Sequence, residues 1–167
     1  MNEEKGMHFV FVYGTLKTNQ PNHKYLMDES SGKAKLVCKA RTKDKWPLVI
    51  ASKYNIPYLL LEKGKGHQVF GEVYLVDETK FAFLDEFESY PAYYTRLKTP
   101  VEAVDYNNDL ALNPWIYFLS KSAPKLLSLP MFECYDSLGA HGLTYVERFD
   151  RVTLDQYSPT NDVQMIS

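Results

Sequence analysis

The sequence predicts one compact α+β domain, and three observations lead to this prediction. The chain has 167 residues, of which 45% are hydrophobic, a size that suits one buried core rather than two domains. Several short runs rich in β-branched and aromatic residues end at turn residues, as strands do. One segment, residues 78–88, follows a predicted strand directly and has the period of an amphipathic helix.

The first predicted strand covers residues 8–13 and stops at Gly14. This pattern is typical of a buried strand that enters a glycine turn. Most such turns only reverse the chain. Because Gly14 has no side chain, backbone N–H groups of this turn could also approach a ligand closely and bind an anion or an oxyanion. A short helix is predicted over residues 22–30.

The middle of the chain predicts a second strand and a hairpin. Residues 47–50 form the strand. Residues 58–62 and 68–76 alternate as paired strands do, and the Lys63-Gly64-Lys65-Gly66 segment between them has the composition of a turn. We therefore expect these two segments to pair with each other.

Two further strand regions and a polar tail complete the chain. Residues 93–104 and 115–119 are predicted as strands, separated by a turn at Asn107-Asn108-Asp109. From Arg148 to the end the sequence is polar and aperiodic, so we expect residues 148–167 to lie outside the core, mobile or draped over the surface.

The predicted helix begins after Asp77, which can cap its first turn, and ends before Pro91, because the residue before a proline avoids helical geometry. The helical period decides which way its side chains point.

Phe81, Leu84 and Glu88 lie on one stripe of this helix, whereas Asp85 and Glu86 can turn to water. A carboxylate on an apolar stripe faces the core or a cleft. Burial and the negative end of the helix dipole would both raise the pKa of Glu88, as a general base working near neutral pH requires. The alternative is that Glu88 is a solvated residue at a helix end.

Composition excludes several classes of protein. The formal net charge is −2, with the cationic residues scattered, so nucleic acid and membrane partners are not expected. The apolar run near the start is too short for a signal or a membrane span, and we expect a cytoplasmic protein. The spacing of the cysteines, Cys38 and Cys134, fits reduced structural residues, and the histidines show no metal-binding pattern.

Six short motifs together resemble the γ-glutamylamine cyclotransferases of the γ-glutamylcyclotransferase-like family, and two later ones resemble its animal members. The motifs are Val12-Tyr13-Gly14-Thr15-Leu16, Gln20-Pro21-Asn22-His23, Pro47-Leu48-Val49-Ile50, Asn55-Ile56-Pro57-Tyr58-Leu59-Leu60, Gly71-Glu72-Val73-Tyr74, Leu84-Asp85-Glu86-Phe87-Glu88-Ser89, Tyr135-Asp136-Ser137 and His141-Gly142-Leu143-Thr144-Tyr145. The resemblance implies a small mixed β-barrel of about six strands packed by a few helices, with a cavity at one end. It implies a domain over residues 8–147, between a lead of residues 1–7 and the tail of residues 148–167.

The resemblance also implies the activity and the site. Glu88 would be the proton acceptor, and Tyr13, Gly14, Thr15 and Leu16 would bind a small γ-glutamyl substrate, with neither metal nor cofactor. The reaction would release 5-oxoproline and an amine, for example lysine from N-ε-(γ-glutamyl)lysine. Relatives with the same residues act on γ-glutamyl amino acids or glutathione, so the resemblance leaves the preferred substrate open. It leaves the oligomeric state open as well.

Three questions remain open from the sequence. A noncatalytic protein with this fold could use the same pocket to bind a small acidic ligand, although a buried carboxylate would repel such a ligand. A hydrolase could use Cys38 or Ser89 as its nucleophile, but neither lies in a recognisable nucleophile motif. Tyr94 and Arg96 either line the pocket or are an ordinary strand residue and a surface charge.

Overall fold

The computed structural model describes residues 5–105, 111–151 and 158–165. Its main element is a curled seven-stranded sheet with the strand order β6-β9-β1-β5-β2-β7-β8, and strands β3 and β4 form a separate two-stranded sheet. The strands are β1 Met7–Val12, β2 Ala34–Thr42, β3 Leu48–Ala51, β4 Ile56–Leu59, β5 Phe70–Asp77, β6 Tyr94–Lys98, β7 Val101–Ala103, β8 Ala111–Leu112 and β9 Trp115–Leu119. The helices are α1 His23–Met27, α2 Glu78–Phe87 and α3 Pro159–Val163, with 3₁₀ turns at Glu29–Ser31, Pro124–Ser128 and Arg148–Asp150.

Strand β1 lies inside the large sheet. It pairs antiparallel with β5 along its whole length and parallel with β9 at one position, Val10 opposite Trp115. The sheet is therefore mixed, and the predicted α+β class with a curled, barrel-like sheet is confirmed. Both neighbours of β1 hold its end in place, so the loop that follows starts from a rigid position.

Side chains of β1 alternate between two buried clusters, one on each face of the sheet. Phe9 and Phe11 belong to one cluster, and Val10 and Val12 belong to the other. This is the period of two that a strand requires. Because both faces are covered, the strand reads as a continuous apolar run rather than as alternating polar and apolar residues.

The prediction that residues 58–62 and 68–76 form a hairpin is wrong. The segments that were expected to pair lie in different sheets: β4 pairs with β3, with Leu48 opposite Leu59, whereas β5 pairs with β1 and β2. Both segments are apolar on both faces, so their residue pattern did not show which neighbours they have. The intervening residues 60–69 carry the chain from one sheet to the other.

Strand β2 was not predicted from the sequence. Its burial alternates only in its second half, where Cys38 and Ala40 are buried. Lys39 lies between them and Arg41 follows Ala40, and the pairing with β5 shifts register between Leu36 and Cys38. A bulged strand with charged residues lacks the pattern by which strands are recognised.

Helix α2 forms where the sequence predicted it. The Asp77 carboxylate accepts a hydrogen bond from the backbone N–H of Lys80 at 2.8 Å and so caps the first turn. The last helical residue is Phe87, one earlier than predicted, and Glu88 is the C-terminal cap. Phe81 and Leu84 are buried on the core face, as predicted.

The remaining expectations have mixed outcomes. Strands at residues 47–50 and 115–119 are confirmed by β3 and β9, residues 93–104 divide into β6 and β7, and the short helix within residues 22–30 is present as α1. The turn predicted at residues 107–109 lies outside the described residues.

The C-terminal segment enters the core at one point, contrary to the expectation for the tail. Val163 of α3 is fully buried in the cluster that also contains Leu84 and Leu126. The backbone N–H of Ala123 donates to its carbonyl at 2.7 Å. The apolar residues of this stretch are irregularly spaced among polar ones, so the sequence shows no period that would indicate this contact.

None of the described helices is long and apolar enough to span a membrane.

Candidate active site

A cavity of about 270 Å³ opens where several parts of the chain meet. They include the loop after β1, the start of β4, the C-terminal end of α2, the start of β6, and the segment around residues 145–151. The structure brings Tyr13, Gly14, Thr15, Leu16 and Glu88 together on its wall, with Tyr94 beside them. The other lining residues are Phe11, Val12, Asn22, Ile56, Pro57, Phe87, Ser89, Tyr93, Tyr117, Tyr145, Arg148, Arg151 and Pro159.

Glu88 stands at the end of α2 with its side chain on the cavity wall. Its backbone N–H donates to the carbonyl of Leu84 at 2.9 Å, which holds the residue in the last turn. Part of its surface faces the cavity, but the surrounding protein excludes most water. This desolvation raises the pKa of Glu88 to about 7, while the positive charge of Arg148 opposes the rise. The expected direction of the pKa shift is confirmed.

Buried tyrosines form the wall around Glu88. Tyr13 donates its hydroxyl hydrogen to the carbonyl of Tyr117 at 2.7 Å, and Tyr117 donates to the Asp85 carboxylate at 2.6 Å. Burial raises the pKa of Tyr13 and Tyr94 well above the usual value, and the nearby Glu88 carboxylate adds to the rise. These phenols therefore stay protonated near neutral pH and act as donors, leaving Glu88 as the group able to take up a proton.

Asp85 does not turn to water as the helical period suggested. It accepts a hydrogen bond from Arg96 Nε at 2.8 Å, and the Arg96 guanidinium is covered by the rings of Phe81, Tyr90 and Trp115. Arg96 is thus part of an ion pair beside the sheet and is not among the residues that line the cavity. The pair connects α2 to β6 and so helps to position the end of the helix.

The loop after β1 is held by hydrogen bonds from residues that follow it. Asn22 donates to the Thr15 hydroxyl at 3.0 Å through its side chain and to the Thr15 carbonyl at 2.8 Å through its backbone. The ring of His23 contacts the Leu16 carbonyl at 2.9 Å, and the Thr18 N–H donates to a Glu72 oxygen at 2.7 Å. The loop is therefore rigid before any ligand binds.

Three backbone donors of this loop have no protein acceptor in the described part of the chain: the N–H groups of Gly14, Thr15 and Leu16. Gly14 is required at its position by close packing, because a Cβ atom there would lie 2.9 Å from Cγ of Pro57. The glycine lets the loop lie directly against β4, and it leaves the wall of the cavity made of backbone at this point.

Several lining residues were not predicted as site residues. Asn22 and Tyr145 belong to motifs that carried the family resemblance without an assigned role, and Arg148 and Arg151 lie in the segment expected to be a polar tail. Their sequence separation from the loop and from Glu88 gives no local pattern. Only the folded chain brings them together.

The alternative nucleophiles are not supported by their surroundings. Cys38 is buried in the core, where desolvation raises its pKa to about 11, so its thiol stays protonated. Ser89 lies on the cavity wall, but within the described ranges neither a histidine nor a carboxylate hydrogen-bonds to its hydroxyl. Among those same residues there is no cluster of potential metal ligands.

Comparison with known proteins defines the class to which this fold and cavity belong. The sequence profile of the family described as "Gamma-glutamyl cyclotransferase, AIG2-like" matches residues 10–137, which is more than half of the chain. The chain therefore belongs to this family, and the resemblance drawn from its motifs is confirmed.

Individual relatives agree with this assignment. The chain is 49% identical over 144 residues to a gamma-glutamylaminecyclotransferase of Bos taurus, covering 85% of this chain and 83% of the relative. It is 44% identical over 149 residues to the protein of the same name from Mus musculus, covering 87% of this chain and 100% of the relative. The crystal structure of a mouse AIG2-like protein superposes with a TM-score of 0.83 at 45% identity, covering 87% of this chain and 99% of the other.

Proposed function

We propose that this protein is a γ-glutamylamine cyclotransferase, which converts a γ-glutamyl amide into 5-oxoproline and a free amine. The observation that carries the proposal is Glu88, whose pKa is raised to about 7 in the cavity that the Tyr13 to Leu16 loop also lines. The names of the relatives from cow and mouse support the same activity.

The reaction needs no nucleophile from the protein. The α-amine of the substrate attacks its own γ-carbonyl carbon, the five-membered ring closes, and the C–N bond to the departing amine breaks. Holding the glutamyl unit folded makes this step intramolecular, and good orientation can lower the barrier by on the order of 7 kcal/mol. A cavity with a loop held by hydrogen bonds is suited to that task.

Glu88 would act as the base and then as the acid. In its carboxylate form it takes a proton from the α-ammonium group, which frees the amine for attack. The protonated Glu88 then gives a proton to the departing nitrogen, so that an amine leaves rather than an amide anion. The ring nitrogen, which still carries one proton more than in 5-oxoproline, passes that proton to the released amine. A carboxyl with a pKa near the working pH can do both, because neither protonation state is strongly disfavoured.

The free backbone donors of the loop would bind negative charge on the substrate. The N–H groups of Gly14, Thr15 and Leu16 could receive the α-carboxylate or the oxyanion that forms when the γ-carbonyl is attacked. The second role contributes more to the rate, since it stabilises charge present only in the transition state. The preferred leaving amine is proposed to be that of N-ε-(γ-glutamyl)lysine.

The proposal is tested by measuring 5-oxoproline release from N-ε-(γ-glutamyl)lysine. We expect release by the wild type and a loss of roughly 100-fold or more in Glu88→Gln, which keeps the shape of the side chain but cannot accept a proton. Glu86→Gln is the matched control, because Glu86 lies on the same helix end and is exposed. We expect it to retain wild-type rates.

Two outcomes would contradict the proposal. Equal activity in the wild type and Glu88→Gln would remove Glu88 from the chemistry. A folded wild-type protein that binds the compound without releasing 5-oxoproline would instead favour the noncatalytic binding protein considered from the sequence.

A further inference from the structure

The hydroxyl of Tyr145 is placed to donate a hydrogen bond into the cavity. Its oxygen accepts from Asn22 Nδ2 at 3.0 Å and from Arg151 Nη2 at 3.1 Å. Both partners are donors only at these atoms, so the hydroxyl hydrogen has to point to a third group. No acceptor for it occurs within the described ranges, although Tyr145 is only 7% exposed and lines the cavity. A buried donor of this kind indicates a ligand acceptor.

Arg151 places a fixed positive charge beside this hydroxyl. Its Nε donates to the Val146 carbonyl at 3.1 Å, and its guanidinium lies over the ring of Tyr54 at 4.5 Å. The bonds to Val146 and Tyr145 use only part of the five N–H donors of a guanidinium. The group is therefore oriented in advance and can still bind an anion through its other donors.

These residues form a line from the substrate loop to the rim of the cavity. The line runs from Thr15 through Asn22 and Tyr145 to Arg151 by successive hydrogen bonds. Asn22 is 3% exposed and Tyr145 is 7% exposed, whereas Arg151 is only half-buried. Arg151 is therefore more exposed than Asn22 and Tyr145, the two residues that connect it to the loop, and it lies at the outer end of this line.

The charges of the lining residues favour an anionic ligand at this outer end. Among the lining residues that the structure describes, Glu88 is the one acid, while Arg148 and Arg151 are both cationic. Arg148 is the cation whose charge acts on the Glu88 carboxyl. Arg151 instead donates to the Tyr145 hydroxyl, which Asn22 links to the loop.

We infer that Arg151 and the Tyr145 hydroxyl form a binding site for a carboxylate on the departing amine. The inference rests on the proposed function and narrows its substrate class to γ-glutamyl amides whose leaving amine carries a carboxylate at its far end. The α-carboxylate of the glutamyl unit is attached to the same carbon as the α-amine, so it stays near Glu88. The carboxylate of a lysine leaving group lies beyond the four-carbon stem, towards the rim.

The test compares two substrates that differ only in this carboxylate: N-ε-(γ-glutamyl)lysine and the mono-γ-glutamyl amide of cadaverine. In Arg151→Gln we expect kcat/KM for the lysine compound to fall roughly 10-fold or more, mainly through KM, since a charge-assisted hydrogen bond to a carboxylate is lost. Turnover of the cadaverine compound should change less than about twofold, and it shows at the same time that the variant is folded. Arg151→Lys should recover part of the preference for the lysine compound.

Arg41→Gln is the matched control for the loss of one guanidinium. Arg41 lies on β2 in an ion pair with Glu102, and it is not a lining residue of the cavity. Both substrates should react in this variant as in the wild type.

The outcomes separate this inference from the proposed function. Equal losses on both substrates in Arg151→Gln, or no loss on the lysine compound, would overturn the carboxylate site while leaving the cyclotransferase activity intact. A wild-type protein that releases 5-oxoproline from neither compound would overturn the proposed function, and the carboxylate site with it.

Discussion

At the scale of single residues, the environment of Glu88 sets its chemistry. The same side chain on a solvated helix face would be ionised at neutral pH. Here the tyrosine-lined wall raises its pKa to about 7, and Arg148 limits the rise. Had burial acted without this cation, the carboxyl would be neutral over a wider pH range and less able to accept a proton.

This balance predicts the effect of removing Arg148. In Arg148→Gln the pKa of Glu88 should rise further, because the neutral carboxyl is favoured once the neighbouring positive charge is gone. The measurement is a titration of the Glu88 carboxyl carbon by NMR in the wild type and the variant.

Arg41→Gln serves again as the control and should leave the Glu88 titration unchanged, since Arg41 is paired with Glu102 elsewhere on the sheet. A Glu88 pKa that is the same or lower in Arg148→Gln would show that Arg148 does not act on the carboxylate.

The helical period of α2 was sufficient to predict which face of the helix a residue occupies. Glu88 shares the stripe of Phe81 and Leu84, and that was enough to nominate it. The same reasoning failed for Asp85, because its partner Arg96 lies on the next strand rather than on the helix. The helical period predicts the direction of a side chain. It does not predict which residue of another element will contact that side chain.

At the scale of elements, the loop after β1 combines a fixed conformation with backbone N–H groups that have no acceptor in the described part of the chain. Its start is fixed by pairing of β1 with β5 and β9, and its later residues are held by Asn22 and Glu72. Gly14 allows this loop to lie against Pro57. The loop can thus present N–H groups without paying the entropic cost of ordering when substrate binds.

The close contact at Gly14 predicts a strong effect of a β-branched side chain. In Gly14→Val the new Cβ would lie 2.9 Å from Cγ of Pro57, so the loop has to move away from β4. We expect 5-oxoproline release to fall by roughly 10-fold or more, because small displacements of positioning groups reduce rates strongly.

Thermal unfolding of Gly14→Val, followed by circular dichroism, shows whether the variant keeps its fold. A folded variant with wild-type turnover would mean that the position of this loop is unimportant for the reaction.

The elements themselves were predictable to different degrees. Strand β1 and helix α2 have strong residue patterns and could be predicted from local sequence alone. The pairing of β4 with β3 was missed because partner choice depends on the path of residues 60–69 between the sheets. Strand β2 was missed because its charged positions and its register shift hide the alternation.

At the scale of the whole molecule, the cavity is assembled from both ends of the chain. The loop after β1 lies near the start of the chain and Glu88 near its middle, whereas Tyr145, Arg148 and Arg151 come from the last part. Val163 packs into the core beyond them and so anchors this segment. The sequence nominated Glu88 and the loop, and the fold brings them to one cavity. It could not predict that Arg148 and Arg151 lie beside them, because these distant segments meet only in the folded chain.

The central claim is that the carboxylate form of Glu88 accepts the proton that starts the reaction. The most direct test is the pH dependence of kcat/KM for 5-oxoproline release by the wild type. Below its pKa Glu88 is neutral and cannot accept a proton, so kcat/KM should rise with pH through about 7 and then level off. A rate that is independent of pH across this range, or that falls as the pH rises through it, would contradict the claim.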